Sequence, residues 1–174
     1  MTNAQLRAAA ARVLDLCRER GLLIATAESC TGGLVAGVLT EIPGSSDVVD
    51  CGFITYSNAA KKTMLDVPAA TLRRRGAVSQ ETAAAMAAGA LKHSRADLAV
   101  AITGIAGPGG GSKEKPVGLV HFAAKSRDGR SLVLNRRYGK IGRRRVREKS
   151  VAEALRLLEE LSVAGATIQV RAAP

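Results

Sequence analysis

Apolar and polar positions along this chain fall into short blocks whose spacing switches between helix-like and strand-like. Residues 4–20 are rich in Ala, Leu and Arg, with the charges spread as on an amphipathic helix, and Gly21 closes it. Residues 22–27 form a short apolar run and predict a buried strand, followed by a polar turn at 28–33 and a helix over 34–39. Pro43-Gly44-Ser45-Ser46 breaks the chain, and 48–56 predicts a strand. Ser57 or Asn58 then caps a helix to about Leu65, Pro68 opens another to Arg75, and Ser79-Gln80-Glu81 leads into an Ala-rich helix ending near His93. Residues 98–103 carry no charge, which suits a central strand, and a glycine-rich loop follows over 104–116. Strands at 117–124 and 131–138 flank Arg127-Asp128-Gly129-Arg130, where Asp-Gly favours a hairpin turn. A long helix occupies 143–161. Strand and helix alternate and end in a hairpin, which predicts one α/β domain over residues 1–174, with helices on both faces of a mixed sheet of about five strands.

Composition narrows the picture. The chain is 47% hydrophobic and 24% charged, enough for one core and too apolar for a disordered chain. Aromatic residues make up only 2%, so Ala, Val, Leu and Ile must build that core. The three cysteines show no Cys-x-x-Cys spacing, which argues for a reducing, cytoplasmic setting and against a disulfide framework or structural zinc. No apolar stretch approaches the roughly 20 residues of a membrane span.

The net charge of +11 points to an anionic partner. Its densest run is Arg136, Arg137, Lys140, Arg143, Arg144, Arg145, Arg147 and Lys149, which equally suits a solvated helix face. Aromatic stacking platforms and a helix-turn-helix pattern are missing, so nucleic acid is disfavoured against a phosphorylated small molecule.

Two glycine-rich turns follow uncharged strands, at the strand ends where α/β sheets collect ligands. The run Gly104-Ile105-Ala106-Gly107-Pro108-Gly109-Gly110-Gly111-Ser112 lacks a Walker lysine and a correctly spaced Gly-x-Gly-x-x-Gly, so a mobile connection remains open beside anion binding by its amides. Ser29 stands between a strand and a helix. It reads either as an N-cap or as a nucleophile beside free helix amides that could hold an oxyanion, with Cys30 as a rival nucleophile. Neither His93 nor His121 has a nearby Asp that suggests a triad. Lys61, close after Tyr56-Ser57-Asn58, could serve as base if desolvated, with Tyr56 sharing the proton path; the other reading is an exposed helix cation. No metal-ligand spacing occurs.

Four blocks together resemble the CinA C-terminal domain family, the nicotinamide-nucleotide amidases. They are Thr26-Ala27-Glu28-Ser29-Cys30-Thr31-Gly32-Gly33, Gly52-Phe53-Ile54-Thr55-Tyr56-Ser57-Asn58-x-Ala60-Lys61, Gly76-Ala77-Val78-Ser79, and the run from Thr103 through Gly104, Gly110 and Lys115 to Gly118. The resemblance implies a three-layer α/β/α domain with a mixed, mostly parallel sheet, and hydrolysis of nicotinamide mononucleotide to nicotinate mononucleotide and ammonia. It implies Ser29, Tyr56 and Lys61 as catalytic residues and no metal or redox cofactor. Thr31, Gly32, Gly33, Thr103, Gly104 and Gly110 would bind substrate, and Arg143 and Arg147 would hold its phosphate, although Arg144 and Arg145 crowd that pair. A homo-oligomer is compatible with the resemblance. In longer family members this domain follows a larger one. The competing reading is a module that binds nucleotides, or serves DNA processing, without turnover.

Overall fold

The structure, a computed structural model, describes residues 2–163. Its strands are β1 (Ile24–Glu28), β2 (Val49–Ile54), β3 (Leu98–Gly104), β4 (Leu119–Ser126) and β5 (Ser131–Arg137), in the order β2-β1-β3-β4-β5. β1 runs parallel to both its neighbours, and β4 runs antiparallel to both β3 and β5. Four strands therefore share one direction, while the neighbouring pairs divide evenly between parallel and antiparallel. The Asp128-Gly129 turn joins β4 to β5 as the sequence predicts, with Gly129 at φ 99°.

Helices cover both faces. α1 (Asn3–Glu19), α2 (Leu34–Thr40) and α6 (Arg143–Ser162) pack on one side, and α3 (Asn58–Leu65), α4 (Ala69–Arg75) and α5 (Gln80–Lys92) lie on the other. The predicted caps form: the Ser57 and Ser79 hydroxyls accept from the Ala60 and Thr82 amides. The two layers differ in bulk. β3 turns Leu98, Val100 and Ile102 toward α1 and α6, and turns Ala99 and Ala101 toward α5, which answers with Ala83, Ala87 and Ala90. Among the described residues, no helix is long and apolar enough to cross a membrane. β1, β2 and β3 all end at one edge of the sheet, so the turns after Glu28, Ile54 and Gly104 gather there.

Candidate active site

The turn after β1 is tied down on several sides. The Ser29 amide donates to the Ile102 carbonyl at 3.0 Å. Ser29 is not the cap of the following helix: α2 is capped by Gly33, which holds a left-handed φ of 93° that a residue with a Cβ would resist. The capping anion is Glu28, a fully buried residue that the sequence reading left without a role. Its carboxylate accepts from the amides of Gly33 (3.0 Å), Val35 (3.1 Å) and Ala36 (2.9 Å). A negative charge at a helix N-terminus is stabilised by the dipole and by these charge-assisted bonds. The first-turn amides of α2 are thus occupied by Glu28 and not free for an oxyanion, contrary to the expectation from sequence. The amides of Cys30 and Thr31, nearer to Ser29 in the turn, make no hydrogen bond among the described residues.

Lys61 enters from the start of α3 and is only 1% exposed, so the reading as an exposed helix cation fails. Its Nζ lies 3.0 Å from Ser29 Oγ and 2.6 Å from the Thr55 carbonyl. Burial pushes its pKa below the ordinary 10.5, against a smaller opposing influence from Cys30. An amine so placed can deprotonate, keep one N–H on the Thr55 carbonyl, and turn its lone pair to the serine hydroxyl. Lys62, next in sequence, is exposed. Cys30 is buried as well, and burial pushes its thiol up to about 12, which keeps it protonated and a poor nucleophile.

Ser29, Lys61, Tyr56, Thr103, Gly104, Gly110 and Arg143 line one cavity of about 290 Å³. The Thr103 hydroxyl donates to the Ala77 carbonyl at 2.7 Å and so secures the wall formed by Ala77 and Val78. Gly104 is required by close approach, since a Cβ there would come within 2.8 Å of the Leu119 carbonyl oxygen. Arg143 donates to the Gly107 carbonyl (3.1 Å) and to the Tyr56 hydroxyl (3.0 Å), bridging the glycine loop and the turn after β2. Tyr56 is 61% exposed, and the bond it makes is with Arg143, not Lys61. The remaining expected residues, Thr31, Gly32, Gly33 and Arg147, do not line this cavity. Arg147 braces the serine turn by donating to the Thr31 carbonyl at 2.7 Å. Arg143 and Arg147 thus bond different carbonyls, those of Gly107 and Thr31. Arg144 pairs with Glu148 at 2.7 Å on the surface, and Arg145 is exposed. Among the described residues no group of three or more His, Cys, Asp or Glu side chains could hold a metal ion.

Known proteins share this architecture. The CinA C-terminal domain family matches residues 6–162. The chain is 47% identical over 158 residues to the nicotinamide-nucleotide amidohydrolase PncC of Escherichia coli K12, covering 91% of this chain and 95% of that one. It is 54% identical over 147 residues to a CinA-like protein of Synechococcus sp. RCC307, covering 84% of this chain but only 35% of that longer protein. A crystal structure of the competence/damage inducible protein CihA from Agrobacterium tumefaciens superposes with a TM-score of 0.91 at 55% identity, covering 94% of this chain and 98% of that one. With the match running from the first helix to the last, this chain belongs to the CinA C-terminal domain family.

Proposed function

We propose that the protein hydrolyses the carboxamide of nicotinamide mononucleotide, giving nicotinate mononucleotide and ammonia, with Ser29 as nucleophile and Lys61 as base. The observation that carries this reading is the 3.0 Å contact between the Ser29 hydroxyl and a buried lysine amine at the wall of a cavity. A protein that only held a nucleotide would gain nothing from desolvating that amine without a carboxylate partner. The similarity to PncC supplies the substrate class.

In this mechanism Lys61 accepts the Ser29 proton as Oγ attacks the amide carbon. The oxyanion forms near the amide of Cys30, a residue that lines the cavity. The C–N bond then breaks, and the Lys61 ammonium gives its proton to the leaving nitrogen, releasing ammonia. Water attacks the resulting ester, Lys61 takes its proton, and that proton returns to Ser29 as nicotinate leaves. Tyr56 and Arg143 act at the mouth, where Arg143 can exchange a carbonyl partner for the substrate's phosphate. The purified protein mixed with nicotinamide mononucleotide should release one ammonia per nicotinate mononucleotide formed. Unchanged substrate after prolonged incubation at several pH values would rule the reading out.

Two further results are expected. EDTA should leave the rate unchanged, and a loss restored by a divalent ion would overturn the serine–lysine mechanism. Arg143→Ala should lower kcat/KM on the mononucleotide by one to two orders of magnitude, mainly through KM, as for a charge-assisted bond of about 1.5–3 kcal/mol. Its activity on nicotinamide riboside, which lacks the phosphate, should hardly change. An equal loss on both substrates would mean that Arg143 serves to hold the Gly107 loop.

A further inference from the structure

A second and larger cavity, about 590 Å³, lies beside the first, and Val78 lines both. Its floor is the end of the β4–β5 hairpin, where His121 and Asn135 stand opposite each other in register and His121 also faces Thr103 of β3. Its rim carries Arg74 from the end of α4, Lys115 from the glycine loop and Arg137 from the end of β5. Among the described residues neither Arg74 nor Arg137 has a carboxylate partner, while Arg75 pairs with Glu81 at 3.0 Å and Lys115 donates to the Arg75 carbonyl at 2.6 Å. The His121 Nδ1 is buried and makes no hydrogen bond among the described residues.

We propose that this cavity is a second anion site, which binds a phosphate-bearing small molecule between Arg74, Lys115 and Arg137 over His121. Four cations and two carboxylates line the concavity. Glu81 is taken by Arg75, and Glu114 accepts from the Ser112 hydroxyl at 2.9 Å. That leaves Arg74, Lys115 and Arg137, from three separate segments, as a net positive charge that an anion would balance. The α4 cations alone could be explained as partners of that helix's C-terminal dipole, but this does not account for Arg137 or Lys115. Two guanidinium groups without carboxylate partners among the described residues offer the forked donors that suit phosphate oxygens. An uncharged, partly buried histidine and an asparagine supply the polar floor. Burial holds the His121 imidazole below its ordinary 6.5, Lys115 and Arg137 add to that, and Glu81 opposes it.

The chain has two histidines, which makes the test direct. Pyrophosphate titrated into the intact protein should shift the His121 imidazole resonances saturably and raise the pKa of that ring. His93, bonded to Asp66 at 2.7 Å on another surface, should stay still. The double variant Arg74→Ala/Arg137→Ala should weaken binding at least tenfold, with its thermal midpoint checked separately, while Ser29→Ala should bind as the wild type does. No shift at His121, equal shifts at both histidines, or full binding by the double variant would overturn the proposal. The binding arm does not depend on the amidase reading. Where that reading holds, kinetics separate the two sources of phosphate. A higher KM for the mononucleotide in the double variant would place the substrate's own phosphate here and not at Arg143. An unchanged KM, with loss of a pyrophosphate effect on rate, identifies a separate phosphorylated ligand.

Discussion

Ser29→Ala should abolish amide hydrolysis, by about four orders of magnitude or more, in a protein that folds as the wild type does. Among the described residues the side chain has one hydrogen-bond partner, Lys61 Nζ, and that amine keeps the Thr55 carbonyl when the hydroxyl is gone. The helix behind the turn is unaffected, because Glu28 and Gly33 cap it. Stability should therefore change by no more than about 1.5 kcal/mol, the scale of a single hydrogen bond. Ammonia release and a thermal melt on the same sample check both halves. Activity within a few-fold of the wild type would exclude Ser29 as nucleophile.

Lys61→Met should be nearly as damaging, whereas Lys62→Ala should be close to neutral. Methionine fills the buried channel with an unbranched apolar chain, so the loss reports the amine and not a cavity. Ser29→Ala combined with Lys61→Met should be little worse than either alone, since the two groups act as one unit. The pH dependence gives a second handle. In the wild type, kcat/KM should rise with pH as the native lysine loses its proton. Stability should rise above that native pKa, where the rate has levelled off. Between the depressed native pKa and the ordinary 10.5, the unfolded chain binds a proton that the folded chain does not, so raising the pH favours folding. Both trends should vanish in Lys61→Met. If Lys61→Met and Lys62→Ala behave alike, the amine is not the base.

Much of this was legible in the sequence, because local signals and tertiary outcome agree. Ser57 and Ser79 cap where their positions suggest, Asp128-Gly129 makes the hairpin, and the uncharged run through Val100 becomes the central strand. Ser29, Lys61 and Tyr56 came from the turn positions and the family resemblance, and they line a common cavity. Glu28 was not legible as the cap of α2, because capping is read from the residue next to the helix and this carboxylate reaches past four intervening residues. The directions of Arg143 and Arg147 were not legible either. Four-residue spacing puts two side chains on one helix face, but their long stems let one reach Gly107 and the other Thr31. The second cavity was invisible for a different reason: its cations come from three segments that meet only when the hairpin closes over α5.

The difference in bulk between the two faces of the sheet bears on how this chain can diverge. On the α1 and α6 side, Leu, Val and Ile can trade places, since volume lost at one position can be recovered at its neighbour. On the α5 side alanine is the commonest buried residue, with Met86, Leu65 and Leu91 filling between, and at those alanines any change except to glycine adds atoms. Drift there runs in one direction only, toward pushing α5 outward. The start of α5 carries Ser79, next to the wall that Thr103 secures, so such a push would reach the cavity that Ser29 and Lys61 line before it unfolded the domain. The permissive face can record ancestry, while the alanine face is held to a single interlayer distance.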